Sequence, residues 1–382
     1  WNTASNWDGG VPVSTSNVII PAGAVNYPVL TPGPDFTIGS GRYLIIESGA
    51  STTLNALTNN GTIALFNNAS TSASLILNSY TRGSGGTEKI QVLLTGGGTE
   101  EEDNLRWHFI STPVSSLPVS VFTAATPDIA QYIESRATLA LLQGWVAYDG
   151  YVYMTGQTTG PAFSTLVPGK GYDYFDYADH TFEFSGLLNT TSVPVALSYT
   201  PTLPLVSNRG FNLLGNPFHS GLDWDYIIND PSYPANTSKA LYFTRFNQQC
   251  TYAGGVGIPG DVNGIIPPMQ GFFNKTYSTG NTITLPTAAR THDNIHSRYK
   301  GEEIIPLIRL GISENSFSDE TVIRFDENAK PDLDYEFDAV KMFVSESHPY
   351  LYSVTSGTNY AINGQPFPEE VSEFPIVVNS LA

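Results

Sequence analysis

The hydrophobic residues of this chain fall in short runs that Gly, Pro and Asn interrupt. Brief apolar runs bounded by such turn-forming residues are typical of β-strands. Helical periodicity is nearly absent. It favours a helix only at 125–145, where Ile129, Ile133 and Leu139 are apolar, and one further helical turn at 223–232. The pattern therefore predicts an all-β protein.

Residues 1–82 contain brief apolar strands at short, fairly regular intervals, separated by small polar residues. The strands read NVIIPAG, YLIIES, LNAL, GTIALF and ASLILN. Short strands at such spacing stack into a solenoid, because each coil buries its apolar side on the next coil. We predict a short β-solenoid at 1–82, which packs on the next unit, and a Gly-rich linker at 81–89.

The middle of the chain repeats itself. Residues 106–116, RWHFISTPVSS, align with residues 210–220, GFNLLGNPFHS, and this places Pro113 on Pro217. In both copies a strand runs into a proline, which fixes φ and turns the chain. We therefore interpret Pro113 and Pro217 as equivalent corners of two repeated units.

Two more segments recur in the same order and at nearly the same offset. Residues 144–150 align with residues 241–247. The segments VPGKGYDYF and PPMQGFFNK then share a Pro-x-x-Gly turn that leads into an aromatic strand, and this places Gly171 on Gly271. Several anchors in one order indicate a true duplication, in which glycine supplies the turn.

We therefore predict three regions, of which the solenoid is the first. The second, at 88–290, is an internally duplicated β-sandwich with halves at 106–190 and 210–290. The third, at 297–382, holds alternating strands with hairpin-scale loops, which favour a jelly-roll-like β-sandwich that is incomplete at its C-terminal end.

Composition narrows the class of protein. The chain has 382 residues, 41% of them hydrophobic but only 14% charged, and a net charge of −18. Ser, Thr, Asn and Gly supply the polar residues instead, and together with the many Tyr and Phe residues this mixture is typical of extracellular β-proteins. An acidic surface repels nucleic acid and favours divalent cations or basic partners.

The only cysteine, Cys250, can form no internal disulfide, and no apolar run is long enough to span a membrane. We expect both ends to be cut from a longer precursor.

The segment GFNLLGNPFHSGLDWD places His219, Asp223 and Asp225 close together in sequence. A catalytic site would need a base, an orienting group and a nucleophile in one cleft, and no such set recurs in the other half. We interpret the segment as a proline corner followed by an aspartate-capped turn. His292 and His296 are spaced like metal ligands on a helix, but their surroundings indicate a polar linker.

The densest acidic region is 324–343, between two predicted strands. Carboxylates crowded on one loop supply the hard oxygen ligands that Ca²⁺ prefers, although the spacing does not match the helix-loop-helix calcium motif. We predict a calcium site there, the only cofactor that we expect. Its candidate ligands are Asp326, Asp332, Asp334 and Asp338.

Other catalytic chemistry has little support in the sequence. There is no G-x-S-x-G motif for hydrolysis and no phosphate-binding loop, and no carboxylate pair stands out for glycoside cleavage. Tyrosines crowd residues 148–177, where they could stack on sugar rings, but alternating tyrosines also suit cross-strand packing in a sheet.

Three segments carry a family resemblance. The opening WNTASNWDGGVPVSTSNVIIPAG, the GNP segment and FDENAKPDLDYEFDAVKMF resemble, in this order, segments of large secreted proteins of Bacteroidota-type bacteria. The resemblance implies export by type IX secretion, a C-terminal sorting domain beyond this sequence, and an adhesin-like role at the cell surface. It implies structural roles for the matching residues Gly210, Asn212, Gly215, Asn216, Pro217 and Trp224.

Together these features predict a non-enzymatic extracellular surface protein that adheres or assembles into a layer, matrix or filament. Exposed strand edges would allow self-association by strand addition. The alternative is a carbohydrate-binding module, or an accessory region of a secreted polysaccharide-degrading enzyme. The expected partners are other copies of the chain, cell surfaces or glycans, without nucleic acid and without a membrane span.

Overall fold

The computed structural model describes residues 3–30, 33, 35–96, 107–122, 128–137, 144–150, 160, 162–245, 248–293, 305–314, 317–343, 349–368 and 372–379. The protein is nearly all β, with 47% strand and 6% helix, which confirms the predicted class. Within these residues no helix is long and apolar enough to cross a membrane. The 3-10 turns are Ala4–Asn6, Val119–Val121, Glu134–Arg136, Val206–Asn208 and Thr287–Ala289.

The N-terminal region is a β-solenoid of about three turns, as predicted. Its strands are β1 (Val18–Ile20), β2 (Val29–Leu30), β3 (Phe36–Ile38), β4 (Tyr43–Ile46), β5 (Ser51–Asn59), β6 (Thr62–Phe66), β7 (Ser74–Arg82) and β8 (Thr87–Leu94). Strands β1, β4, β6 and β8 stack in parallel on one side, and β2 and β3 pair with β5, which pairs with β7, on the other. Leu44, Leu54 and Ile63 are fully buried between these sheets.

The predicted linker at 81–89 is wrong. This segment is the end of β7, a tight turn and the start of β8. Its glycines permit close approach between coils, because a Cβ on Gly86 would lie 2.2 Å from the carbonyl oxygen of Asn59. Strand β8 pairs with β6, so the solenoid continues beyond the predicted boundary at residue 82.

The first half of the duplicated region forms a four-stranded sheet and a short ladder. Its strands are β9 (His108–Ile110), β10 (Leu117–Pro118), β11 (Asp128–Tyr132), β12 (Trp145–Ala147), β13 (Thr165–Leu166), β14 (Tyr172–Phe175) and β15 (His180–Phe184). The sheet order is β12-β11-β14-β9, and β10 pairs with β13. Strand β15 pairs with β8 of the solenoid, so the two regions share a sheet and a hydrophobic core.

The second half repeats this arrangement. Its elements are β16 (Val193–Ala196), β17 (Phe211–Gly215), β18 (Gly221–Asp223), α1 (Trp224–Ile228), β19 (Leu241–Arg245), β20 (Gln248–Ala253), β21 (Val256–Ile258), β22 (Ile265–Ile266), β23 (Gly271–Lys275), β24 (Thr282–Leu285) and β25 (Arg290–Thr291). The sheet order is β17-β23-β19-β20-β21. The equivalent strands pair in the same register, Ile110 with Tyr172 and Leu214 with Phe272.

The repeat corrects two predictions. Strand β11 occupies the place of β19, and β12 that of β20, so the alignment of 144–150 with 241–247 is wrong. The helix at 125–145 is also wrong, because its described part contains β11 and a 3-10 turn. The consecutive residues Ile129 and Ala130 of β11 face opposite sides of the sheet and are both buried, so this central strand shows no alternation that would separate it from a helix. The helical turn at 223–232 is present as α1.

The C-terminal strands join in one six-stranded sheet. They are β26 (Leu307–Glu314), β27 (Phe317–Phe325), β28 (Ala339–Val340), β29 (Tyr350–Thr355), β30 (Thr358–Gln365) and β31 (Ile376–Asn379). The order is β26-β27-β30-β29-β31 with β28 also on β30, and β27 and β30 run parallel. Tyr242 and Phe273 of the second half pack in one core with Val322 and Ile362 of this sheet, so the C-terminal region is continuous with the duplicated one.

Candidate functional site

Asn216 holds the corner of the GNP segment from inside. Its side-chain amide donates to the carbonyl oxygens of Ser220 at 2.9 Å, Ile266 at 3.1 Å and Pro267 at 2.9 Å, and its oxygen accepts from the Phe218 N–H at 3.0 Å. Because the side chain is fully buried, these bonds satisfy backbone groups that water cannot reach. The geometry gives Asn216 a structural task.

The two corner prolines are buried and lie close to one another. Asn189 joins them, because its backbone N–H donates to the Pro113 carbonyl at 2.9 Å and its side-chain amide donates to the Pro217 carbonyl at 3.2 Å. Trp224, also fully buried, donates its indole N–H to the Lys239 carbonyl at 2.7 Å. These motif residues therefore shape the backbone and present no reactive group.

His219 is buried at the boundary between the second half and the solenoid. Its carbonyl accepts from the Leu75 N–H at 2.8 Å, its ring bonds the Pro113 backbone, and Nε2 has no hydrogen-bond partner. Burial, followed by the positive charge of Arg290, lowers the pKa of His219 to about 3. The imidazole is therefore neutral at physiological pH and sits apart from solvent.

The nearby carboxylates do not form a catalytic set with His219. Asp223 caps α1 by accepting from the Tyr226 N–H at 3.3 Å. Asp225 accepts from the Tyr252 hydroxyl at 2.8 Å. The segment that looked most like an active site is thus a capped corner.

The two halves meet at a crossing where each bonds the other reciprocally. The Ser111 N–H donates to the Met269 carbonyl at 2.7 Å, and at the equivalent place the Gly215 N–H donates to the Gly169 carbonyl at 3.0 Å. Gly169 and Met269 both adopt positive φ, +84° and +60°. A Cβ on Gly215 would lie 2.2 Å from the Ser111 hydroxyl, so only glycine fits there.

The glycines of the Pro-x-x-Gly turns are required for the same steric reason as Gly215. A Cβ on Gly171 would lie 2.4 Å from the Leu214 carbonyl oxygen, and one on Gly271 would lie 2.9 Å from the Phe109 carbonyl carbon. Neither contact is sterically possible without backbone movement. The glycine of this sequence motif is therefore explained by close backbone packing at the centre of the duplicated region.

A cleft of about 720 Å³ opens beside this crossing, between β11, the turn before β14, β16 and β17. Lys170 lies in it and donates to the Gln131 side-chain oxygen at 2.7 Å, and burial lowers the pKa of Lys170. Tyr199 and Asn212 line the same cleft. It therefore combines apolar walls with a few polar groups, as small-ligand sites do.

Glu134 is the one carboxylate among the described residues that line the cleft. It accepts from the Thr200 N–H at 2.9 Å, the Thr200 hydroxyl at 2.6 Å and the Gly210 N–H at 2.8 Å. These bonds fix the chain between the two halves. Glycoside hydrolysis needs two carboxyl groups across the scissile bond, so the described part of the cleft is suited to binding and not to that reaction.

Two of the predicted calcium ligands bind backbone donors. Asp334 accepts from the N–H groups of Lys330 at 3.2 Å and Glu336 at 3.0 Å. Asp338 accepts from the N–H groups of Gly364 at 2.6 Å and of Asp334 at 2.7 Å. Burial is the main reason that the pKa of Asp338 rises to about 7. Both side chains organise the loop.

The other two candidates point to different partners. Asp326 accepts from the Arg324 guanidinium at 3.1 Å, and Asp332 accepts from the Ser356 hydroxyl at 2.7 Å. Across the described segments, no three His, Cys, Asp or Glu side chains converge in a way that could hold a metal. Calcium binding by this loop stays a prediction.

The remaining sequence candidates are dispersed. His292 bonds the hydroxyls of Thr53 at 2.7 Å and Ser74 at 2.8 Å, and burial lowers its pKa to about 4. It therefore attaches the end of the second half to the solenoid, while His296 lies outside the described residues.

The tyrosines do not form one exposed surface. Tyr172 and Tyr174 are in the core, and Tyr177 is exposed. Tyr151 and Tyr153 lie outside the described residues.

An open sheet edge is the feature that the sequence reading did not locate. Strand β26 pairs only with β27 among the described strands, and Leu307, Ile308 and Leu310 on it are exposed. A long edge strand with exposed aliphatic side chains is a template for pairing with another chain. The sequence does contain an indication of this edge. In the segment LIRLGIS of β26, aliphatic residues occur on both faces of the strand.

The comparisons with known proteins give one match. Residues 1–379 match the family model described as Domain of unknown function (DUF8693). No curated protein and no solved structure matches the chain.

Proposed function

The chain belongs to the DUF8693 family, and we propose that it is a non-enzymatic extracellular surface protein that assembles with further copies of itself. The observation that carries this proposal is the open edge of the C-terminal sheet. Strand β26 is eight residues long, pairs only with β27 among the described strands, and carries three exposed aliphatic side chains.

The described residues support this function better than catalysis. The histidine and carboxylates of the GNP segment bond to neighbouring protein groups, and Glu134, the one carboxylate among the described lining residues of the cleft, is bonded to protein donors. Main-chain hydrogen bonds along an added strand supply affinity, and aliphatic side chains beside them exclude water. Type IX export and an adhesive surface role accord with the resemblance of the sequence motifs.

Light scattering tests assembly directly. We expect the full chain to form larger species as its concentration rises, and Ile308→Lys to reduce this, because a charged side chain on an edge strand disfavours pairing. Val206→Lys is the matched control, since Val206 is also exposed but lies in a 3-10 turn that is not part of the C-terminal sheet. A wild-type chain that stays monomeric at every concentration, with and without Ca²⁺, would contradict the proposal.

Carbohydrate binding in the cleft is a second candidate. Tyr199 offers a ring for stacking on a sugar, and the Lys170 ammonium and Gln131 amide offer hydrogen bonds. A glycan array should then show one polysaccharide class bound by the wild-type chain and by Tyr226→Ala, whose exposed ring lies on α1, but not by Tyr199→Ala. Equal binding by both variants would remove the cleft from consideration.

A further inference from the structure

One ion pair in the C-terminal sheet is almost completely withdrawn from water. The side chains of Lys341, which follows β28, and Asp319, on β27, are 3% and 9% exposed. The Lys341 Nζ lies 2.6 Å from Oδ1 and 2.5 Å from Oδ2 of Asp319. The amine is therefore held against the carboxyl group by the packed sheet and not by chance contact in solvent.

The other lysine–carboxylate pairs of the described segments lack this burial. Lys239 and Glu336 approach to 2.7 Å, but their side chains are 20% and 48% exposed. Lys89 and Lys330 are more exposed still. The Lys341–Asp319 pair is thus distinct in its environment.

The buried position of Lys341 weakens the hold of its amine on a proton. Burial is the main influence on Lys341 and lowers its pKa, whereas the charge and hydrogen bonds of Asp319 act in the opposite sense. Transfer of one proton from Nζ to the carboxylate within the pair gives a neutral amine and a neutral carboxylic acid and leaves the net charge of the core unchanged. A neutral desolvated amine is the nucleophilic form of lysine.

A backbone donor is aimed at the same carboxyl group. The Leu351 N–H, on β29, lies 2.7 Å from Oδ2 of Asp319. Attack of an amine on the carboxyl carbon places negative charge on one oxygen, and a fixed N–H stabilises that charge. Two reacting groups fixed in one packed core also react as if at very high concentration.

We propose that Lys341 and Asp319 condense into an intramolecular isopeptide bond. The Nζ of the neutral amine forms a bond to Cγ of the protonated Asp319, and the bond from Cγ to Oδ1 breaks. A proton from Nζ joins the departing hydroxyl group, so that one water leaves and an amide remains. No oxidant, reductant or cofactor is consumed. The amide fastens β27 to the segment after β28 and closes the chain from residue 319 to residue 341.

Intact mass spectrometry of the folded full chain tests this inference. We expect a mass lower than that of the sequence by about 18 Da, the mass of one water. Tryptic digestion should give a branched peptide that joins residues 319 and 341, with no cleavage after Lys341. The exposed Lys239–Glu336 pair is the internal control and should give no such peptide.

Two variants identify the bond. Lys341→Met should restore the full sequence mass, because the amine is gone. Asp319→Asn should lose about 17 Da if its amide reacts with release of ammonia, which would support the same nucleophile and acceptor. A wild-type chain that keeps its full mass after prolonged incubation in the folded state, with normal cleavage after Lys341, would show an ordinary buried ion pair and overturn the inference. This outcome is independent of whether the chain assembles.

Discussion

At the scale of single residues, the polar side chains that the sequence suggests as site residues form hydrogen bonds that hold neighbouring elements together. Asn216 donates to three carbonyl groups, and His219 and His292 connect the second half to the solenoid. Asn216 and His219 are buried and His292 is half-buried, and each bonds groups that would otherwise lose hydrogen bonds to water on folding. The hydrogen-bonding groups of these residues therefore stabilise the fold.

The buried carboxyl group of Asp338 makes the free energy of unfolding depend on pH. Its pKa is raised from 3.8 to about 7 in the folded chain, mainly by burial, so the native state binds this proton more tightly than the unfolded state. The stabilisation from protonated Asp338 is complete below about pH 4 and is lost as pH rises to about 7. We expect the free energy of unfolding of the wild type, minus that of Asp338→Asn, to fall over this range by up to about 1.4 kcal/mol per pH unit.

Urea unfolding from pH 4 to pH 8 at constant ionic strength measures this difference. It should level off above pH 7, where Asp338 is ionised in both states. A difference that is constant across the range, or that rises with pH, would mean that Asp338 is not held protonated by its surroundings.

At the scale of elements, the crossing of the two halves depends on glycine for steric reasons. Gly171→Ala would place a Cβ 2.4 Å from the Leu214 carbonyl oxygen. We expect a loss of about 3 kcal/mol in the free energy of unfolding, because a packed core accommodates extra volume poorly. Gly9→Ala, where nothing lies within 4 Å, is the control and should change stability by less than about 0.5 kcal/mol in the same denaturation experiment. Equal effects of the two substitutions would contradict this account.

The local pattern of apolar runs and turn residues in the sequence was enough to predict many of the strands and turns. The solenoid strands and the proline corners rest on turn residues beside apolar runs, and these signals lie within a few positions of one another. Strand β11 was missed because it is buried among its neighbours, and the glycines at 83–86 were taken for a linker although they serve close packing of coils. Both errors arise where tertiary contacts, and not local preference, decide the structure.

The candidate sites were less predictable for the same reason. Lys341 and Asp319 lie on different elements, and nothing in the residues around either one indicates the other. The four aspartates of the acidic loop, by contrast, are close in sequence but are directed at separate donors. Proximity in sequence therefore predicted a calcium site that the described geometry does not assemble.

At the scale of the whole molecule, the predicted regions are joined by shared cores. The solenoid shares one core with the first half, and the second half shares another with the C-terminal sheet. The chain carries a formal net charge of −18, so like charges oppose association at low ionic strength. Salt screens this repulsion, and assembly through the open edge should strengthen as salt is added.

Hydrogen exchange along β26 is the measurement that tests self-assembly most directly. The amides of residues 307–314 that point away from β27 should exchange more slowly as protein concentration rises, because a strand from a second copy then bonds to this open side. Ile308→Lys should abolish this dependence and Val206→Lys should preserve it. If exchange in β26 is the same at every concentration while light scattering reports larger species, assembly uses another surface and the proposed role of this edge is wrong.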